Sequence, residues 1–231
     1  MSGEIMGYAT LVQSLPPAAR TAATTGTYIS LKNYPRCGIV LNVGATAGLG
    51  TATLRVRQAT SVAGAGAASL NFNAVWRTGA RLYFTPSTLT GTFQVGEAVT
   101  GAGGGAGVIH SIHADHLVIR NFNNTAFVAS ELITGGTSGA TANLTATNFY
   151  GDDDILVRQE LAAATNQFNF PTIANKIYVV DIDASTLDVN NGYDCIEAGC
   201  ATVGATATFS ITYLLGNARY KGEPMESVVS N

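Results

Sequence analysis

Phe93-Gln94-Val95-Gly96-Glu97-Ala98-Val99-Thr100-Gly101 and Phe127-Val128-Ala129-Ser130-Glu131-Leu132-Ile133-Thr134-Gly135 are two writings of one motif, with Phe, Glu, Thr and Gly recurring at an offset of 34 residues. Gly105-Ala106 and Gly139-Ala140 extend the match at the same offset. Self-similarity of this kind marks a duplicated supersecondary unit; a solenoid needs at least about three such units to bury a continuous core, and only two occur here. In each copy Phe and the alternating Val, Ile and Leu can face inward while Glu and Thr face out, and Thr-Gly ends a strand at a tight turn. The pair reads as a small inserted β domain over residues 85–148, with turns set by Gly101, Gly105, Gly135 and Gly139.

Outward from the repeat the chain remains strand-like. Tyr28-Ile29-Ser30-Leu31, Gly38 to Val43 and Ala52 to Gln58 precede it, the last alternating Leu54 and Val56 with Arg55 and Arg57. Asp154 to Glu160, Lys176 to Asp183 and Ala207 to Leu215 follow it. Val157-Arg158-Gln159 echoes Val56-Arg57-Gln58, a weaker internal match. No stretch carries a useful helical period, although Gln159 to Thr165 allows a short helical turn. The fold class expected is all-β: a β-sandwich or jelly-roll-like core from residues 28–84 and 149–231, with the two-unit insert between them. Residues 1–27 hold Pro16-Pro17, which removes two backbone donors and imposes extended geometry. They read as an extended N-terminal arm, either a strap on a neighbouring subunit through Leu15, Pro16, Pro17 and Arg20 or a disordered terminus.

Charged residues make up 12% of the 231 residues, against roughly 25% in an ordinary soluble domain, and only three lysines occur. So sparse a charge coat suits a surface partly buried in an assembly such as a homo-oligomer. A net charge of −3 with scattered arginines argues against nucleic-acid binding, and no apolar run suits a bilayer span or secretion signal. Cys37, Cys195 and Cys200 are an odd number, which fits reduced thiols; Cys195 and Cys200 could pair, but small buried thiols explain them better.

The candidates for chemistry are few. His110, His113 and His116 would make a zinc stripe on a helix, but strand-like flanks place Ala114-Asp115 in a hairpin turn, with His113 opposite His110 and His116. A cluster of these histidines on an oligomer axis stays open. The run Gly101 to Gly107 lacks the Gly-Lys-Ser/Thr ending of a phosphate loop. Asp181, Asp183 and Asp188 open like a calcium loop but have Thr186 and Gly192 where Gly and Glu are needed. Asp152-Asp153-Asp154 reads as a solvated turn. Glu97 and Glu131 could form a glycosidase pair, yet duplication explains their equivalence, each capping its own turn or pairing on the surface. The expectation is a protein without catalytic residues, metal or cofactor.

The stretch from Glu131 through Ile133-Thr134-Gly135-Gly136-Thr137-Ser138-Gly139-Ala140-Thr141-Ala142 resembles a Gly-Glu-x-Val-Thr-Gly-x-Thr-Ser-Gly-Ala-Thr-Ala repeat of tailed-bacteriophage virion proteins. Val180 to Asp183, Leu187-Asp188, Gly192 to Ile196 and Tyr213 to Tyr220 are similar to the C-terminal part of small phage head-associated proteins. The first copy departs from the pattern, with Ala102-Gly103-Gly104 in the turn. The resemblance implies a capsid decoration or cement protein on the virion surface, folded in the host cytoplasm, with the major capsid protein or other virion subunits as partner. Its alternatives are a tail, fibre or baseplate component whose insert binds glycans through Tyr83, Phe84, Phe122, Phe127, Phe149 or Tyr150, and a depolymerase.

Overall fold

The computed structural model describes residues 9–46, 51–121, 125, 127–146, 156–161, 165–171, 176–204 and 206–216. Asp152-Asp153-Asp154, Phe122, Phe149, Tyr150 and Asn217 to Tyr220 lie outside them. Among the described residues seventeen strands run in chain order: β1 (Ala9–Arg20), β2 (Ile29–Ser30), β3 (Arg36–Thr46), β4 (Thr51–Ala59), β5 (Ala68–Ser69), β6 (Ala74–Thr78), β7 (Ala80–Tyr83), β8 (Ala98–Gly101), β9 (Ala106–Ile112), β10 (His116–Arg120), β11 (Leu132–Gly135), β12 (Thr141–Asn143), β13 (Leu156–Glu160), β14 (Gln167–Pro171), β15 (Lys176–Asp183), β16 (Cys195–Val203) and β17 (Ala207–Gly216). The described chain is predominantly β in several sheets, with only short 3-10 turns beside them. Contacts divide it into unit 1, Met1–Val75 with Leu161–Asn231, and unit 2, Trp76–Glu160. Unit 2 is wider than the repeat segment because β7 and β13 belong to it.

Unit 1 holds two antiparallel runs of strands, β1-β17-β3-β15 and β14-β4-β16-β2, with β5 on β4. Alternation writes the burial: along β17, Ala207, Phe209, Ile211, Tyr213 and Leu215 are buried while the residues between them are not. Both runs share one core, in which Phe170 of β14 meets Tyr178 of β15 at 5.7 Å and Phe209 of β17 edge-on at 5.9 Å.

The stretch expected as an arm belongs to this core. β1 pairs with β17 from Ala9 opposite Gly216 to Arg20 opposite Ala207, and Leu15 is buried. Pro16-Pro17 sits where the register shifts between Leu15 and Ala18, so two residues without amide donors are absorbed as an irregularity in an edge strand. Arg20 donates to the Pro16 carbonyl at 2.8 Å and lies over the Phe209 ring at 5.4 Å. The correction is physical: the extended geometry that Pro-Pro imposes is already strand geometry, and an edge strand is where it fits.

In unit 2 the strand order is β12-β11-β8-β9-β10-β7, and a bridge between Phe84 and Leu144 joins its two end strands beyond their last residues. The second sequence echo has no structural counterpart: Val56-Arg57-Gln58 lies in β4, between β14 and β16 of unit 1, whereas Val157-Arg158-Gln159 lies in β13, in the other unit.

Candidate functional site

β8 and β11, the same strand of the two copies, lie side by side antiparallel, with Ile133 opposite Gly101, Thr134 opposite Thr100 and Gly135 opposite Val99. Thr100 and Thr134 are one motif position, so this register creates a local two-fold relation through their pair. Glu97 closes its own turn by accepting from the Gln94 amide at 2.7 Å, then reaches the other copy's loop, accepting from the Thr137 amide at 3.0 Å and from the Ser138 amide and hydroxyl at 2.8 Å. Glu131 does the same in reverse, accepting from the Val128 amide at 2.6 Å and the Gly103 amide at 2.7 Å. Each copy's glutamate thus clamps the loop of the other.

That exchange explains the glycines. A Cβ on Gly135 would stand 2.7 Å from Glu97 Oε1, and one on Gly101 would stand 2.6 Å from Glu131 Oε1. A Cβ on Gly105 would meet the Phe127 ring at 3.0 Å. Only Gly139 of the four expected turn glycines has a left-handed backbone, φ +67°, and its counterpart is Gly104 at φ +89°, 35 residues earlier. The Gly101 amide bonds the Gly105 carbonyl, whereas the Gly135 amide bonds the Ala140 carbonyl, so the second loop is one residue longer. The 34-residue match at Gly105-Ala106 and Gly139-Ala140 is therefore not the structural equivalence.

Electrostatics favour the clamp of Glu97. Burial pushes its carboxyl up, but the hydrogen bonds from Ser138, Gln94 and Thr137 outweigh this and bring it down to about 2. The glycine-rich loop does offer a backbone amide to an anion, as a phosphate loop would; the anion is the chain's own Glu131. Glu97 and Glu131 each cap their own turn, one of the two roles expected, but Glu97 is buried instead of facing out and both reach across to the other copy. The signal for that contact was the 34-residue offset itself, which fixes equivalence but not adjacency.

Ala114-Asp115 forms the turn between β9 and β10, with the His113 amide on the His116 carbonyl at 2.9 Å. Contrary to alternation along a single strand, His113 and His116 stack at 4.3 Å with rings 4° from parallel, because the turn at Ala114-Asp115 sets His113 opposite His116, the first residue of β10; His110 is exposed on β9. His116 Nδ1 bonds Asp115 at 2.7 Å, and Tyr83 lies 5.1 Å from the His116 ring. Phe84 and Phe127 are buried. Cys195 and Cys200 are free thiols on one strand, five residues and roughly 16 Å apart along an extended chain, beyond disulfide reach.

In unit 1, a cleft of about 230 Å³ is lined by Asn71, Asn73, Asp181, Asp183 and Thr186 over Phe72 and Ile182. Asp181 pairs with Arg36, and Asp183 accepts from the Ser185 amide at 2.8 Å and hydroxyl at 2.7 Å. Asp188 lies outside this cleft, binding the Asn191 side-chain amide at 2.7 Å. Among the described residues no group of three or more His, Cys, Asp or Glu could hold a metal ion. Comparison with family models, curated proteins and solved structures finds no match.

Proposed function

We propose that the protein is a structural subunit of a tailed-phage particle, a decoration or cement protein that binds the assembled head and contacts the major capsid protein. The observation that carries this reading is the use made of the duplicated phage-type motif: the residues its two copies share, Glu, Thr-Gly and Gly-rich loop, join them into one β unit. Unit 1 we read as a β-sandwich, supported by the one core shared between its two runs of strands. Function by attachment follows from mass action: surface buried on the assembled shell and not on free subunits favours the shell, and the gain multiplies over symmetric copies and through homo-oligomers.

The test is binding of the purified protein to empty expanded capsids, followed by calorimetry of the particles. Saturable binding with a raised capsid melting temperature supports the proposal; failure to bind capsids, with retention on tails or on host glycans, overturns it in favour of a tail or receptor-binding role.

A further inference from the structure

Between β1 and β2 the chain crosses β16 as a strap of small residues, Thr21-Ala22-Ala23-Thr24-Thr25-Gly26-Thr27. Thr24 pairs with Cys200 through two backbone bonds of 2.9 and 2.8 Å, and Ile29 pairs with Ile196, but the ladder between these points is split. Side chains fill the split. Glu197 accepts from the Gly26 amide at 2.7 Å; Tyr213 takes the Ala198 amide at 2.7 Å and donates to the Thr27 carbonyl at 2.8 Å; Ser14 donates to the Ala198 carbonyl at 2.8 Å. The fit is close, since a Cβ on Gly26 would stand 2.1 Å from the Ala198 carbonyl oxygen and one on Gly199 2.2 Å from Glu197 Oε1.

No apolar side chain of the strap is buried before Tyr28, so polar contacts alone hold it down. Segments anchored in that way open at low free-energy cost. Beneath it Glu197 is fully buried, its Oε2 has no hydrogen-bond partner, and the nearest cation, Arg55, is 3.5 Å from Oε1. A buried, half-satisfied carboxylate is costly when ionised. We propose that Glu197 is a proton-operated latch: neutral, it holds the strap on β16; ionised, it favours release, which hydrates the carboxylate and bares the backbone edge of β16.

The groups facing the latch are Arg55 and Arg57 from β4 and Tyr213 from β17; the strap contributes no charge. Burial raises the Glu197 carboxyl, against the Gly26 amide and the two arginines, which lower it. With the closed-state value above the ordinary one, closure is strongest below the ordinary glutamate range. It weakens as pH rises through the interval up to the closed-state value and is constant beyond. The inference is independent of any role on a capsid.

Hydrogen exchange of the Thr24 and Cys200 amides, which bond each other's carbonyls and do not touch the carboxylate, reads strap opening. After correction for intrinsic rates, the opening constant in the wild type is expected to rise with pH within that interval, by no more than about tenfold per unit, the limit for one proton. Glu197→Gln should remove the slope and leave the strap closed. Tyr213→Phe, which loses the bond to the Thr27 carbonyl of the strap and the one from the Ala198 amide of β16 but no relevant charge, should raise opening at every pH and keep the slope. Opening that is independent of pH in the wild type, or a slope that survives in Glu197→Gln, overturns the latch.

Discussion

At the scale of the residue, Glu97 shows what a buried carboxylate can do when backbone amides surround it. Glu97→Gln would set an amide donor against a backbone donor, so a loss of roughly 1.5–3 kcal/mol is expected, read as a shift in the denaturation midpoint. Its folded carboxyl stands at about 2, below the ordinary 4.5, so this stabilisation is complete above the ordinary value and disappears as pH falls through about 2. The variant should flatten the acid limb of the stability curve. Ser130 and Gly96 offer a cleaner comparison: they are the same motif position, and both are left-handed, φ +65° and +89°. A side chain on Gly96 would meet nothing within 4 Å, leaving only backbone strain. Gly96→Ser should therefore cost about 1 kcal/mol and Ser130→Gly gain somewhat less, because glycine also loosens the unfolded chain. Equal stabilities of both variants and the wild type would contradict this.

At the scale of the element, strands were legible where a half-buried face gives a long alternating run, and the short β6 and β7 were not read. Lys176 to Asp183 and Ala207 to Leu215 were readable because every second residue must be apolar on a half-buried strand. β1 was not, since Pro-Pro hides a strand whose pairing partner, β17, is nearly two hundred residues away along the chain. Its place in the core gives a prediction opposite to that for a free arm. Leu15→Ala should destabilise unit 1 by about 2–5 kcal/mol in denaturant unfolding, and removal of residues 1–27 should take an edge strand and the strap with it. A truncated protein of unchanged stability would show that β1 contributes nothing to the core. Glu197 was equally hidden: a glutamate inside Cys195-Ile196-Glu197-Ala198-Gly199-Cys200 is conspicuous among apolar neighbours, but only the crossing strap explains why it is buried.

At the scale of the whole molecule, each unit has a core of its own: Leu41, Tyr178, Phe209 and their neighbours in unit 1, and Leu82, Ile109, Leu117 and Ile133 in unit 2. Leu15→Ala and Glu97→Gln should consequently lower different thermal transitions; one transition lowered equally by both would show that the units unfold together. By itself the sequence determined the all-β class, the duplication and the strands with long alternation, because these depend on periodicity and on contacts within a few residues. The tertiary structure alone decided that the copies exchange their clamps, that the second loop is one residue longer, that His113 and His116 stack, that residues 9–20 form an edge strand and that Glu197 lies under a strap. Each of these depends on which segments lie side by side. Pairing between distant strands is settled by the register that buries the most apolar surface and leaves the fewest backbone groups unsatisfied, a property of the folded whole and of no single stretch.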